Sequence, residues 1–231
     1  MSEFQAGFGR QEITPHHMGF PLYGYSNRNG KATGVHDPLW ARAVVIKQGE
    51  QAWALCALDL VAIDAGTVAA VRELVHHQTG LSPQSILVAA IHTHSGPSPV
   101  DAGNWDRNFA SIIADAILQA YENLQPAKVA VGAGFLYGYS LNRRWFERPI
   151  DPMVGVLRID DMNGDLLGVL ANFGLHAVVL GYDNLEISAD YVGFARNAVE
   201  EALGGMCIFT NGGAANVNPI TENVKKQLAE R

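Results

Sequence analysis

An apolar segment that ends abruptly at two histidines constrains this chain more than any other feature. Residues 86–91 are Ile, Leu, Val or Ala without interruption, and His92, Thr93 and His94 follow before a Gly-Pro turn at 96–97. Such an unbroken run is typical of a strand covered on both faces. If the strand continues through Thr93, both histidine side chains point the same way. We therefore expect a buried strand that presents two imidazoles at its C-terminal end.

The histidine pair has two interpretations. Two imidazoles at a strand end can hold a divalent metal, or one can bind metal while the other transfers protons. The plain alternative is that hydrogen bonds within the turn satisfy both rings. The His-x-His spacing directly before a Gly-Pro turn favours the functional interpretation.

Composition excludes several classes of protein. The chain has 231 residues and a formal net charge of −7, with no stripe of Lys or Arg, so nucleic acid is not an expected partner. Cys56 and Cys207 lie inside apolar stretches and are expected to be buried, reduced thiols. No signal-like or membrane-spanning run is visible, so we expect a cytoplasmic protein. The expected partner is a small-molecule substrate, and homo-oligomerisation is left open.

Apolar periodicity predicts a mixed fold. Hairpin-like strand pairs and amphipathic helices together indicate an α/β (α+β) domain, residues 1–231, in which two packed mixed sheets are flanked by helices as α/β/β/α layers. A single mixed sheet is the alternative. Strands are predicted near 5–13, 39–46, 52–58, 85–92, 128–135, 154–159, 166–173 and 206–210, and helices near 67–79, 104–123 and 188–203.

Three of the predicted strands end in polar segments that form turns. These ends lie at His92, at His176 and at Asn211, and the last opens a loop rich in Asn and Gly. We expect the three ends to meet in one cleft. Asp59 also follows a strand directly, as a helix cap or as a hydrogen-bond partner of a ligand histidine.

Two further segments have more than one interpretation. Arg143 and Arg144 stand among aromatic residues, where they could recognise an anion or a carbonyl or could be ordinary surface charges. Residues 16–37 are rich in Gly, Tyr, Asn and His without any period. A connection of that length is typical of an ordered or functional loop.

Taken together, these motifs resemble the N-terminal domain of the neutral/alkaline non-lysosomal ceramidase family. They occur in the family's order and cover nearly the whole chain. The matching segments are GVHDPLWARA at 34–43, HTHSGP at 92–97, NRR at 142–144, GLHA at 174–177, SADY at 188–191 and the Asn/Gly loop that ends at Pro219.

The resemblance implies a zinc-dependent amidohydrolase of sphingolipid metabolism, with an N-acylated lipid of the ceramide type as substrate. It makes His92 and His176 zinc ligands, and it gives His94 and either Arg143 or Arg144 the role of assisting the substrate amide. Zinc with an open coordination position lowers the pKa of its bound water to about 7, and the resulting hydroxide can attack the carbonyl carbon. By the same resemblance, the substrate-binding residues are His36, Asp190, Tyr191, Asn211, Gly213 and Asn216.

Two departures from the family pattern limit what the resemblance implies. Asn218 stands where the family has a reactive Ser, and Asn216 stands where it has an Asp. An amide cannot act as that hydroxyl would, although Asn218 remains the catalytic candidate at this position. The family's other zinc ligands, a Glu and a Tyr, come from sequence beyond residue 231.

The expected site therefore has several ways to be completed. Either the natural chain is longer, or Asp59, Asp190, water or a neighbouring subunit supplies the missing ligand. The sequence does not separate amide, ester and lactone substrates. A catalytically incomplete module that keeps the metal cradle and binds a small molecule or a partner is the alternative function.

Overall fold

A computed structural model of the protein describes residues 4–98 and 108–221. The first residues of the helix predicted at 104–123 fall outside these ranges. The helices within them are α1 (Ala65–Thr79), α2 (Phe109–Glu122) and α3 (Tyr191–Leu203). The strands are β1 (Phe4–Glu12), β2 (Gly34–Val35), β3 (Trp40–Gln48), β4 (Gln51–Leu58), β5 (Ile86–Ala90), β6 (Gln125–Phe135), β7 (Ser140–Asn142), β8 (Met153–Asp161), β9 (Leu166–Phe173), β10 (Glu186–Ile187), β11 (Met206–Asn211) and β12 (Val217–Pro219).

Eight of these strands form one mixed sheet in the order β11-β9-β8-β6-β1-β3-β4-β5. Only two residue pairs join the half β11-β9-β8-β6 to the half β1-β3-β4-β5, because β1 pairs with β6 at Gln5–Pro126 and Ala6–Gln125 alone. The halves fold face to face, with β11 in contact with β3, β4 and β5. Gly168 of β9 lies directly against the ring of Phe8, and a Cβ at Gly168 would come within 2.5 Å of it.

Helices cover the outer faces of both halves. Helix α2 packs on β1 and β3 and contacts α1, whereas α3 packs on β11. The predicted α/β/β/α layering is therefore confirmed, with the difference that the two packed sheets are continuous through β1 and β6. The remaining short strands pair as β10 with β2 and as β12 with β7.

Helix α1 has a capping residue at each end. The Asp64 side chain accepts a hydrogen bond from the Thr67 amide at 2.9 Å, and Gly80 ends the helix with φ of 73°. A left-handed conformation at this position is one that Gly adopts without steric cost. Because the helix ends here, the chain returns to β5 through one turn of 3-10 helix at Pro83–Ser85.

The strand before the two histidines differs from the prediction. Strand β5 stands at the edge of the sheet, and Leu87 is 57% exposed, so the expectation of a strand covered on both faces was wrong. The strand ends at Ala90, and His92 has φ of 68°. The extended conformation therefore does not continue through Thr93, and a turn brings the two histidine rings together.

Both cysteines are buried and unpaired, as predicted. Burial raises the pKa of the Cys207 thiol to about 11 and raises that of Cys56 as well. These thiols therefore pack as small apolar groups. Among the described helices, none has the length and apolar character needed to cross a bilayer.

A buried ion pair connects α3 to the end of β4. The guanidinium of Arg196 donates from both terminal nitrogens to the two carboxylate oxygens of Asp59, each at 2.6 Å. Asp59 also accepts from the Trp40 amide at 2.8 Å. Among the described residues, this carboxylate therefore bonds scaffold groups of Arg196 and Trp40, and no hydrogen bond joins it to a histidine or caps a helix. Arg42 lies beside it and binds Glu200 and the Cys207 carbonyl.

Two glycines on one face of β1 allow α2 to approach the sheet closely. A Cβ at Gly9 would lie 2.3 Å from the carbonyl oxygen of Ala116, and one at Gly7 would lie 2.2 Å from that of Ala120. Side chains at these positions would collide with helix backbone, which cannot move aside as a flexible side chain can.

This contact predicts the effect of adding one methyl group. Gly9→Ala is expected to lower the free energy of unfolding by about 1–3 kcal/mol, because the helix must shift outward. Gly132→Ala is the matched control, since a Cβ there meets nothing within 4 Å. Urea unfolding followed by circular dichroism measures both, and equal midpoints for the two variants would contradict the close packing of α2.

Candidate metal centre

Three histidines from two distant segments converge at one end of the sheet. The ring centroids of His92 and His176 are 4.8 Å apart. The centroid of His94 lies 5.0 Å from that of His92 and 5.4 Å from that of His176. Each ring offers one nitrogen, and these nitrogens all lie within 4.8 Å of one another. The prediction that the segments ending at His92 and His176 share one cleft is confirmed.

His92 is positioned by the segment that follows β4. Its backbone amide donates to the carbonyl of Leu60 at 2.9 Å, and its Nδ1 donates to the carbonyl of Val61 at 2.7 Å. A carbonyl oxygen can only accept, so the Nδ1 carries the proton and the Nε2 lone pair is left facing the cluster.

His176 is positioned in the same way by the Asn/Gly loop. Its Nδ1 donates to the carbonyl of Ala214 at 2.7 Å, and its amide donates to the carbonyl of Val217 at 3.0 Å. Burial lowers the pKa of this imidazole, and the nearby positive charge of Arg143 acts in the same direction. The ring is therefore neutral at pH 7, with Nε2 unprotonated.

His94 has a different environment. Its Nε2 lies 3.3 Å from the Nε2 of His92, whereas its buried Nδ1 has no hydrogen-bond partner in the described structure. Gly24 packs against this side of the ring, since a Cβ there would come within 2.5 Å of the His94 Cγ. Burial, followed by the charges of the other two histidines and of Arg28 and Arg143, lowers the pKa of His94 to about 4.

The donor set fits zinc at His92 and His176. Histidine ligands of metals nearly always donate their second ring N–H to a carbonyl, a carboxylate or water, and both of these rings do so. Two imidazoles on one tetrahedral zinc have nitrogens about 3.3–3.4 Å apart, so the His94 Nε2 also lies within range of such an ion. His94 lacks the second hydrogen bond, which distinguishes it from the other two.

Asn211 connects the two segments that carry the histidines. Its Nδ2 donates to the carbonyl of Ile91 at 3.0 Å, and its Oδ1 accepts from the amide of Leu175 at 3.2 Å. These partners directly precede His92 and His176. The strand end at Asn211 therefore lies beside the other two, as predicted, and its side chain holds them together by hydrogen bonds.

The two adjacent arginines are placed differently. Arg143 donates from Nε to the carbonyl of Ala215 at 2.9 Å, and its amide donates to the carbonyl of Asn216 at 2.8 Å. Its guanidinium is thereby held against the loop that fixes His176. Arg144 is exposed, as Arg143 is, and in the described structure only its backbone amide is held, donating to the Asn142 side chain at 3.0 Å.

The remaining loop candidates lie around His176. Gly213 is exposed and adjoins Gly174, and Asn216 is partly buried. Asn218 lies in β12, and its buried side-chain oxygen has no hydrogen-bond partner among the described residues. An unsatisfied buried amide oxygen is costly, so Asn218 is available to bind a further donor.

Asp190 and Tyr191, which are also predicted to bind substrate, form hydrogen bonds to backbone groups. The carboxylate of Asp190 accepts from the amides of Val179, Leu180 and Tyr191 at 2.8–3.0 Å, and φ of Asp190 is 57°. The hydroxyl of Tyr191 donates to the Leu175 carbonyl at 2.9 Å.

His36 is exposed, and its Nδ1 lies 3.0 Å from the carboxylate of Asp37. Its ring packs beside Phe194 of α3, with the centroids 5.6 Å apart. The structure thus brings together His92, His94 and His176, with Arg143 on the loop that fixes His176. It gives His36 contacts with Asp37 and Phe194 instead.

Sequence reasoning missed two residues at this site. The ring of Tyr25 meets the ring of His94 edge-on at 4.8 Å, and Arg28 donates to the His94 carbonyl at 2.6 Å. Burial, followed by the charge of Asp190, raises the pKa of Tyr25 to about 12. The only signal was the length of the aperiodic segment 16–37, which does not single out individual residues.

The Asn211 contact predicts how the site responds to its loss. Asn211→Ala is expected to lower the free energy of unfolding by about 1–3 kcal/mol, because the Ile91 carbonyl and the Leu175 amide lose their partner. We expect zinc affinity to fall by about ten-fold or more, since both histidines lose support. The measurement is zinc titration against a competing chelator.

Asn172→Ala is the matched control, because the Asn172 amide donates to the carbonyl and hydroxyl of Thr210, the residue before Asn211. Among the described residues it makes no hydrogen bond to Ile91 or Leu175. Zinc affinity reduced equally in both variants would contradict the connecting role of Asn211.

Comparison with known proteins places this geometry in a family. Residues 4–217 match the family model for the N-terminal part of neutral/alkaline non-lysosomal ceramidase. The neutral ceramidase of Pseudomonas aeruginosa is 27% identical over 94% of this chain and 37% of its own length. Neutral ceramidase B of Dictyostelium discoideum is 28% identical over 88% of this chain and 32% of its own length.

Solved structures show the same likeness. The crystal structure of the Pseudomonas aeruginosa neutral ceramidase aligns with a TM-score of 0.84 at 27% identity, covering 95% of this chain and 40% of that one. A ceramidase structure described as complexed with C2 aligns with a TM-score of 0.82 at 26% identity, covering 95% and 39%. The chain thus spans about a third to two fifths of the length of these relatives. It belongs to the neutral/alkaline non-lysosomal ceramidase family.

Proposed function

We propose that this chain forms the catalytic domain of a zinc-dependent hydrolase that cleaves the amide bond of an N-acylated, ceramide-like lipid. The observation that carries the proposal is the pair of imidazoles at His92 and His176, each with Nδ1 hydrogen-bonded to a carbonyl, in a three-histidine group whose ligand nitrogens lie within 4.8 Å of one another. The family relatives named neutral ceramidases support the reaction class.

Each residue of the site has a separate role in the proposed reaction. Zinc held by His92 and His176 would supply an activated water and polarise the amide carbonyl. Hydrolysis adds the water oxygen to the carbonyl carbon, breaks the C–N bond and delivers a proton to the departing amine. The Nε2 of His94 lies 3.3 Å from that of His92, which places His94 to accept and return that proton. Arg143 carries a fixed positive charge beside the cluster for the carbonyl oxygen.

An apolar groove along α3 supports a lipid substrate. It has a volume of about 420 Å³ and lies between α3 and the outer face of β8, β9 and β11. Leu175, the residue before His176 in the sequence, is one of its lining residues. The other main lining side chains are Val154, Phe173, Tyr191, Val199 and Phe209.

A metal-holding binding module is the second candidate, and Asn218 favours it. This amide replaces the hydroxyl that the family resemblance expects, and its buried oxygen has no partner in the described structure. Such a module would bind zinc and an N-acyl lipid without hydrolysing the amide. A substrate contact through the Asn218 amide is compatible with both functions.

The test is metal content together with hydrolysis of a short-chain N-acyl substrate after dialysis and zinc loading. His92→Ala and His176→Ala are each expected to lose the metal and the activity, because each removes one of two chain ligands. His94→Ala is expected to keep most of the zinc and to lose activity by about 10²–10⁴-fold, the usual contribution of acid–base catalysis.

His77→Ala is the matched control, since His77 is exposed and its imidazole pairs with Glu73 on α1. Loss of zinc by His94→Ala would show that His94 is a third ligand. Stoichiometric zinc in His176→Ala would overturn the ligand assignment, and zinc-loaded wild type without hydrolysis would favour the binding module.

A further inference from the structure

The long loop at residues 16–37 closes over the histidine cluster. The Tyr23 amide donates to the carbonyl of Gly96 at 2.8 Å, which joins the loop to the turn after His94. Gly24 has φ of 117° and packs directly on the His94 ring. A side chain at Gly24 would be both strained and in collision, so the backbone itself forms this wall of the site.

Arg28 fixes the loop from the other side. Its guanidinium donates to the His94 carbonyl at 2.6 Å, to the Gly181 carbonyl at 3.1 Å and to the Tyr182 carbonyl at 3.2 Å. One side chain thus joins three chain segments, including the one that follows His176. Charged donors make the stronger hydrogen bonds, so the loop is anchored firmly at this point.

Tyr25 is held between Arg28 and His94. The Arg28 guanidinium carbon lies 4.9 Å from the centroid of the Tyr25 ring, in cation–π geometry. The opposite contact is edge-on to His94, with the ring centroids 4.8 Å apart and the planes at 73°. Both contacts are made by the aromatic ring. Because they already restrict its rotation, the Tyr25 side chain loses little conformational entropy when a ligand binds.

The phenol hydroxyl is the one part of Tyr25 that these contacts leave unused. It makes no hydrogen bond to any residue in the described ranges, although the side chain is partly buried. A phenylalanine would provide the same stack without a polar atom to desolvate. The Tyr25 ring contacts His94, whose ring in turn contacts His92 and His176, so the hydroxyl belongs to a side chain that borders the cluster.

We infer that Tyr25 is a substrate-binding residue whose hydroxyl donates a hydrogen bond to an oxygen of the acyl-amide group bound at the histidine cluster. This inference rests on the proposed function for the substrate class. The contacts with Arg28 and His94 hold the donor in place before the ligand arrives.

The test measures binding without turnover. The probe is N-octanesulfonylethanolamine, in which a sulfonamide replaces the amide, resists hydrolysis and keeps acceptor oxygens. Calorimetric titration into the zinc-loaded full chain is expected to give a dissociation constant roughly ten-fold higher for Tyr25→Phe than for wild type, the loss of one neutral hydrogen bond. Zinc content and unfolding midpoint should not change, because the ring contacts remain.

Tyr23→Phe is the matched control in the same loop, since the Tyr23 side chain is 53% exposed, and it should bind the probe as wild type does. Equal affinity of Tyr25→Phe and wild type, or no binding of the probe by wild type, would overturn the inference. Hydrolysis of the N-acyl amide, assayed separately, tests the proposed function. If wild type binds the probe through Tyr25 but hydrolyses no N-acyl amide, the proposed function is refuted and the inference about Tyr25 stands.

Discussion

Two hydrogen bonds, from the Nδ1 of His92 and of His176 to backbone carbonyls, are what the candidate site depends on. Each fixes a tautomer and a ring orientation at the same time, because a carbonyl oxygen accepts only a protonated nitrogen. The acceptors, Val61 and Ala214, belong to the segments that follow β4 and β11. The position of the two Nε2 atoms is therefore set by how these segments leave the sheet.

The packing of the two sheet halves brings those segments together. β4 runs parallel to β5, and β11 runs parallel to β9, so the chain leaves the sheet at matching ends within each pair. Asn211 then connects the segments by hydrogen bonds, and the Arg196–Asp59 pair connects α3 to β4. A buried ion pair with both hydrogen bonds made contributes specificity of arrangement, and loss of one partner alone would leave an unpaired charge in the interior.

Much of this organisation could be predicted from sequence because it rests on local pattern. The capped helix after Asp64, the hairpin of β8 and β9 and the histidines at chain turns each leave a signal within a few residues. The Arg196–Asp59 pair leaves none, since its members are 137 positions apart. The edge position of β5 and the positive φ of His92 also depend on distant strands. Tyr25 and Arg28 lie in an aperiodic loop, where only the folded structure shows which residues meet the site.

The central claim is that one zinc ion binds at the Nε2 atoms of His92 and His176. The most direct measurement is a crystal structure of the zinc-loaded protein with anomalous data collected on both sides of the zinc absorption edge. The account predicts one strong peak about 2.0–2.1 Å from both Nε2 atoms, with both Nδ1–carbonyl hydrogen bonds retained. A peak bound through Nδ1, or zinc located away from these two histidines, would contradict it.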